Sequence, residues 1–376
     1  MTLSLAAGAF ELVNGFIYPA VALNLELRGA SADLIGYQAA SVGLGLALSP
    51  LLVPWLVARF GMLPVCAANF AVASATILTF GLNESIGLWF ALGLVFGVST
   101  SLWYVQSETW LNRLAAESSR GRAVGLFSTI REGGLALGPL LIPVLGCVGL
   151  LPYASMALVI VAAGLPLCRL NHHAERGRSP RISEFVAVAQ AIPVLLIAAA
   201  VGAYFDGAVL PLWVIYGLEQ GLSSDQAVLT LSLIKLGNIA LQLPIGWIAD
   251  RASRELVLLA CVLGTGLGAA CLPLVDLTSW LTWPYLLIWG ALSFGIYTTS
   301  LVLIGQHLAG SRLVIATAAF GAMWGIGVLA GSAITGWLMA AIGAVGLPVS
   351  IALACALLLA ALIFKLSLTH AAPGRA

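Results

Sequence analysis

The chain has 376 residues, of which 61% are hydrophobic and only 8% are charged, and its formal net charge is +1. Soluble domains carry about 25% charged residues, because a folded chain needs polar side chains on the surface that water touches. The composition therefore excludes a soluble globular protein and indicates that lipid surrounds most of the chain.

Long apolar runs divide the chain into twelve predicted transmembrane helices, each near the roughly 20 apolar residues that one crossing requires. The runs are continuously apolar, as in Val186–Ala203, whereas the strands of a membrane β-barrel alternate between apolar and polar residues. The first six helices are predicted at 4–27, 32–58, 64–82, 86–106, 122–146 and 150–169. The second six are predicted at 187–216, 224–249, 256–275, 282–305, 313–341 and 345–366.

A polar stretch from 169 to 184 separates the sixth predicted helix from the seventh. It is basic and is interrupted by Gly177 and Pro180, which is typical of a linker. We therefore predict an N-terminal six-helix bundle at 1–168, a cytoplasmic linker at 169–186 and a C-terminal six-helix bundle at 187–376.

The two halves of the sequence repeat each other. A shift of 192 positions brings the first two helices onto the seventh and eighth, and a shift of 193 brings the fifth onto the eleventh. The matched residues include Gly15 with Gly207, Asp33 with Asp225, Gly45 with Gly237, Gly134 with Gly327 and Gly138 with Gly331. The predicted fold is an all-α membrane protein of twelve helices, in two six-helix bundles related by pseudo-two-fold symmetry. Such repeats are a known transporter plan, with the substrate bound between them.

The basic residues predict the orientation of the chain. An even number of helices places both termini on one side of the membrane. If that side is the cytoplasm, thirteen of the sixteen Lys and Arg residues are cytoplasmic or at that interface, and only Arg28 faces outward. This distribution follows the positive-inside rule. The remaining two, Arg131 and Lys235, fall within the membrane.

Five ionisable residues fall deep inside predicted helices: Glu11, Arg131, Glu132, Asp206 and Lys235. A charge at a helix centre costs roughly 2.5–3.5 kcal/mol and is tolerated where it faces water, a partner or a substrate. Helices 3, 6, 9 and 12 carry no such charge, so we predict that they are peripheral and face lipid, and that the charged helices line a central cavity. The alternative is that these residues are internal ion pairs or bind helices together.

Asn14 lies three residues after Glu11 and therefore shares its helix face. It is also the repeat mate of Asp206, so helices 1 and 7 are predicted to present polar groups at matching depth. Because burial favours the neutral form of a carboxyl group, Glu11, Glu132 and Asp206 are the predicted proton sites. Adjacent residues of a helix point about 100° apart, so we expect Arg131 and Glu132 not to pair with each other.

Aromatic residues of helices 4, 10 and 11 add to the predicted lining. They are Trp103, Tyr104, Tyr297 and Trp324, the last being the repeat mate of Arg131. The alternative for Trp and Tyr is the aromatic belt at the membrane surface, but Trp103 and Trp324 lie too deep in their helices for that.

The loop after helix 8 reads Gly-Trp-Ile-Ala-Asp-Arg-Ala-Ser-Arg from 246 to 254, and its first-half mate keeps Arg59 but has Ala58 in place of the acidic residue. This loop resembles the G-x-x-x-D-R-x-x-R loop of the major facilitator superfamily. The resemblance implies that the loop braces neighbouring helices and gates the cytoplasmic side. The residues it would assign to this gating loop are Arg59, Gly246, Asp250, Arg251 and Arg254.

Helix 5 carries a second resemblance. Gly125, Gly134, Gly138 and Pro139 are spaced in a way that is similar to the antiporter motif of the same superfamily, which implies close helix approach and a bend. Ordinary glycine packing between helices is the alternative. The segment 106–112, followed by 120–122, resembles a compact bacterial branch of uncharacterised permeases, which implies the bacterial inner membrane.

The sequence lacks a Walker A motif and any His or Cys cluster with metal spacing, so we expect no cofactor, no metal and no enzymatic activity. We predict a monomeric, proton-coupled secondary transporter that exports a small organic compound by alternating access and binds no nucleic acid. One alternative is a proton symporter that imports an organic anion held by Arg131 and Lys235. Another is a lipid-handling or sensor protein on the same fold.

Overall fold

The computed structural model describes residues 1–114, 120–169, 182–240, 244, 247–248, 251–308 and 310–370. Within these residues all regular structure is helical, and twelve helices have 15 residues or more. The first six are α1 (Thr2–Leu27), α2 (Ala32–Phe60), α3 (Met62–Leu82), α4 (Ile86–Leu114), α5 (Arg120–Leu137) and α6 (Leu150–Gly164). The second six are α7 (Pro193–Glu219), α8 (Ser224–Ala240), α9 (Arg254–Cys271), α10 (Thr282–His307), α11 (Gly310–Ile342) and α12 (Gly346–His370).

Among the described helices, nine are long and apolar enough to cross a membrane, and α2, α5 and α8 are outside this set. Helix α5 carries Arg131 and Glu132, which lower its hydropathy. The described part of α8 ends at Ala240, so its predicted continuation to 249 lies outside the described residues. The all-helical membrane fold predicted from the sequence is confirmed.

Prolines interrupt two helices that the sequence predicts to be continuous. The prediction of one helix at 122–146 is wrong, because α5 ends at Leu137 and is followed by a 3-10 turn, Pro139–Leu141, and a short helix, Ile142–Leu145. The helix predicted at 187–216 is likewise divided at Ile192, before Pro193. Proline has no N–H to donate and disfavours the helical conformation of the residue before it, so the helix breaks there.

Twin contacts relate the two bundles of six helices. At each contact, a side-chain carbon placed on the glycine would clash with a backbone oxygen of the neighbouring helix, so only glycine permits the approach. The contacts are Gly15 on Leu135 and Gly207 on Val328, Gly138 on Leu12 and Gly331 on Tyr204, Gly45 on Leu94 and Gly237 on Leu287. The shifts of 192 and 193 positions that align the sequence therefore also align the packing of α1 on α5 with α7 on α11, and of α2 on α4 with α8 on α10.

The bundles meet along α2 and α11, at the end of the molecule that carries the loops at 28–31 and 220–223. We call this the closed end. There Gly36 lies against Gly336 and Gly43 against Leu329. Further along α11, Gly325 still lies against Ala47, but at Gly321 the described residues leave open space within 4 Å. Contacts of this kind between α2 and α11 are thus described from Gly36 to Ala47, and we call the opposite end of the molecule, where α1 begins, the open end.

Candidate functional site

Glu11 lies deep in α1, where polar contacts link it to α4. Its carboxylate accepts a hydrogen bond from the Asn14 side-chain amide at 3.2 Å and another from the Tyr104 hydroxyl. Asn14 in turn accepts one from the Thr100 hydroxyl at 3.2 Å. Both Glu11 and Asn14 are buried, so the face that they share points into protein and away from lipid. Among the described ion pairs, none includes Glu11.

Arg131 is the centre of a charged cluster between α4 and α5. Its guanidinium contacts the Glu132 carboxylate at 3.1 Å and the Glu108 carboxylate at 3.5 Å, and lies 5.6 Å from the centre of the Tyr104 ring. The expectation that Arg131 and Glu132 do not pair is wrong. The long guanidinium side chain bends round the helix and spans the angle between adjacent positions.

Two polar contacts from this cluster reach the C-terminal bundle. The Asn238 side-chain amide of α8 donates a hydrogen bond to Glu132 at 3.4 Å. Arg131 also interacts electrostatically with the hydroxyl of Tyr297 in α10. The adjacent residues Arg131 and Glu132 of α5 thus contact side chains of both bundles.

Lys235 of α8 and Asp206 of α7 form an ion pair within the C-terminal bundle. The Lys235 side chain is 1% exposed and its nitrogen also lies 5.8 Å from the centre of the Phe205 ring. Asp206 occupies the position that Asn14 occupies in the first half. Asn14 and Asp206 are thus polar groups at equivalent positions of α1 and α7, but their partners differ.

The aromatic residues of the predicted lining differ in burial. Tyr297 and Trp324 are partly buried and pack edge to face with centroids 4.9 Å apart. Trp103 is 1% exposed and packs against Phe10 and Phe70, with centroids 6.0 and 4.9 Å apart. This corrects the prediction that Trp103 lines the cavity, because its indole fills the core of the N-terminal bundle.

The predicted gating loop is described only in part, because Gly246 and Asp250 lie outside the described residues. Arg59 is exposed in the last turn of α2. The Arg251 guanidinium lies 3.9 Å from the centre of the Trp247 ring, and Arg254 opens α9 after the capping residue Ser253.

The four residues of the antiporter-like motif lie in and just after α5. Gly134 and Gly138 lie directly against the backbone of α1, and Pro139 begins the 3-10 turn that ends the helix. Gly125 has open space around it among the described residues. Among the described residues no atom lies within 4 Å of a side-chain carbon placed on Gly125, so the close helix approach expected there stays a prediction.

Glu108 and Asn238 belong to the site although they are not among the residues predicted from the sequence. The structure extends α4 to Leu114, whereas the predicted helix stops at 106 and leaves Glu108 in a loop. Glu108 follows Tyr104 by four residues, so the two share a face of the longer helix. Asn238 follows Lys235 by three residues, and this spacing could have placed it on the same face as the lysine.

The charges of the site do not balance. Within the described residues, its carboxylates are Glu11, Glu108, Glu132 and Asp206, and its cations are Arg131 and Lys235. With all six ionised, the site carries two more negative charges than positive ones. Both cations already contact a carboxylate, so the site favours a proton or another cation over an anion.

The chain is similar to known membrane transporters along nearly its whole length. The family model described as "Major Facilitator Superfamily" matches residues 3–314 and 195–375. The "Uncharacterized MFS-type transporter YfkF" of Bacillus subtilis is 24% identical over 264 residues, which are 69% of this chain and 67% of the relative. The "Uncharacterized MFS-type transporter YcaD" of Escherichia fergusonii is 26% identical over 310 residues, which are 81% of this chain and 79% of the relative.

Solved structures show the same fold. The nucleoside transporter NupG has a TM-score of 0.78 and 12% identity, over 96% of this chain and 97% of that one. A bacterial homolog of the human lysosomal transporter Spinster, in an inward-facing and occupied conformation, has a TM-score of 0.75 and 14% identity, over 98% of this chain and 96% of that one. At these identities the likeness is one of fold alone.

Proposed function

The chain belongs to the Major Facilitator Superfamily and is a multi-pass secondary transporter, and on this premise we propose that it exports a small organic solute in exchange for protons. The two bundles rock about a site formed by Glu11, Asn14, Arg131, Asp206 and Lys235. The observation that carries this proposal is the cluster at Arg131, from which polar contacts reach α8 and α10 of the other bundle.

Glu11 is our first candidate for the proton-binding residue. An ionised carboxylate is costly to bury unless a cation pairs with it, and the described ion pairs do not include Glu11. Its partners are the Asn14 amide and the Tyr104 hydroxyl. A neutral, protonated Glu11 fits this setting, and release of its proton would change the charge of the site by one unit.

We further propose the inner membrane as location, both termini in the cytoplasm and function as a monomer. The segments 1–168 and 187–376 would be the two moving bundles and 169–186 the linker. In this orientation the open end faces the cytoplasm, which is where an exporter loads its solute. The loop residues Arg59, Gly246, Asp250, Arg251 and Arg254 would gate that end.

The alternatives have less support. Import of an organic anion needs a cation that is free to bind it, but Arg131 and Lys235 already contact carboxylates. A lipid-handling protein needs a large lateral groove. The apolar groove between α3 and α6, lined by Cys66, Phe70 and Gly164, has about 180 Å³, below the roughly 300 Å³ at which ligand pockets begin. A protein with only a sensor role has no need of so many interior charges.

Proton flux in vesicles tests the proposal. Purified protein is reconstituted into lipid vesicles that enclose a pH-sensitive dye. The vesicle interior is made acidic, and small organic solutes are added to the outside one at a time. Antiport raises the interior pH as protons leave, whereas symport lowers it further. We expect a solute-dependent rise in the unaltered protein and its loss in Glu11→Gln.

Glu84→Gln is the matched control, because it removes the same charge from an exposed loop position. It should keep the full signal. Proton movement in Glu11→Gln equal to that of the unaltered protein would remove Glu11 from the mechanism. Solute exchange with no proton movement in the unaltered protein would overturn proton coupling.

A further inference from the structure

Glu108 differs from the other carboxylates of the site in its access to solvent. Its side chain is 44% exposed, whereas that of Glu132 is 7% exposed and Glu11 is buried. Its contact with Arg131 is also the longer of the two that this guanidinium makes to carboxylates, at 3.5 Å against 3.1 Å. Glu108 is therefore the carboxylate that a solute can reach first and with the least disturbance of buried pairs.

Both cations of the site lie in the same kind of surroundings. Arg131 contacts carboxylates and lies over the ring of Tyr104, and Lys235 contacts Asp206 and lies near the ring of Phe205. The faces of aromatic rings attract cations because of their electron density. A carboxylate beside an aromatic face is thus the arrangement that this protein itself uses to hold positive charge.

We propose that Glu108 determines specificity for a solute that carries one positive charge on an apolar or aromatic body. The inference rests on the proposed transport function and deepens it. The cation would bind the half-buried Glu108 carboxylate, one helical turn from Tyr104, in place of one guanidinium contact. Arg131 would keep its shorter contact with Glu132, so no buried carboxylate would lose its partner.

The excess of negative charge supports this choice of solute. With Glu11 protonated as proposed above, the carboxylates of Glu108, Glu132 and Asp206 exceed the two cations by one negative charge. A monovalent cation therefore brings the site to neutrality, and an anion moves it further away. Tyr297, Trp324 and Phe320 add ring surface nearby, with centroid distances of 4.9 and 5.2 Å from Tyr297.

Two ions of the same shape and opposite charge test the proposal. Tetraphenylphosphonium and tetraphenylborate are added separately to the purified full-length protein in detergent, and apparent affinities are taken from the rise in melting temperature with ligand concentration. We expect the phosphonium to stabilise the protein and the borate to have little effect. Glu108→Gln should weaken phosphonium binding by at least about tenfold.

Further variants separate specificity from a structural role. Glu108→Asp keeps the charge and should retain most of the phosphonium affinity, while Glu84→Gln should retain all of it. Equal or tighter binding of the borate, or unchanged phosphonium affinity in Glu108→Gln, would overturn the proposal. These outcomes are independent of proton flux, so selective phosphonium binding without proton coupling would refute the exchange mechanism and leave the specificity of Glu108 standing.

Discussion

The two six-helix bundles share their scaffold but differ in their polar groups. Glycines at matching positions bring α1 onto α5 and α7 onto α11 through backbone contacts. At the same depth, however, the first half has the hydrogen-bonded Glu11 and Asn14, and the second half has the ion pair of Asp206 with Lys235. Both copies of the repeat therefore have the same glycine contacts between helices, but they differ in their charged residues.

The difference reflects what each kind of residue must satisfy. A close helix approach needs glycine at that position in each copy, because any side chain would collide with backbone. Polar side chains of the two bundles, in contrast, contact each other, as Asn238 contacts Glu132, so one copy can supply what the other lacks. Arg131 and its repeat mate Trp324 illustrate this, since one brings charge and the other ring surface to the same interface.

Substitution of the twin glycines should have the largest effect on the protein. Gly138→Val and Gly331→Val would each drive a side chain into the backbone of α1 or α7. We expect each to destabilise the protein by about 3 kcal/mol or more, the upper range for overpacking, because backbone cannot move aside. Unfolding of the purified variants in detergent measures this.

Gly125→Val is the matched control, since open space surrounds Gly125 among the described residues. It should stay within about 1 kcal/mol of the unaltered protein, the scale of a helix-propensity change. A large loss for Gly138→Val together with none for Gly331→Val would show that the two bundles do not share their packing.

The ion pair of the C-terminal bundle gives the next effect. Lys235→Met would leave Asp206 without its cation, and removal of one partner of a buried pair costs about 3–5 kcal/mol. We expect the lower end, because the Asp206 side chain is 15% exposed. The double variant Lys235→Met, Asp206→Leu should recover most of the stability in the same unfolding measurement. A single variant as stable as the unaltered protein would show that the pair has no structural part.

Much of the fold could be predicted because its signals are local and repeated. The apolar runs predict the helices, and glycines at matching positions, such as Gly15 and Gly207, indicate the internal repeat. The site was harder, because it depends on where helices end and on which way long side chains turn. Because helix 4 is predicted to end at 106, Glu108 is assigned to a loop and not to the site. Because only the angle between adjacent helical positions is considered, Arg131 and Glu132 are predicted not to pair. Burial of Trp103 among phenylalanines depends on tertiary packing, which its depth in the sequence does not reveal.

Glu11 should show the smallest effect on stability and thereby sharpen the contrast between the bundles. Glu11→Gln keeps an oxygen that can accept the hydrogen bonds of Asn14 and Tyr104, and it leaves no buried cation without a partner among the described residues. We expect a change within about 0.5 kcal/mol, as for substitutions that remove no packing or pairing, in the same unfolding measurement that reports a large loss for Lys235→Met. A loss as large as that of Lys235→Met would mean that Glu11 is ionised and neutralises a cation in the folded protein. The N-terminal bundle would then contain a buried carboxylate paired with a cation, as the C-terminal bundle does. Glu11 would no longer suit the role of a proton carrier.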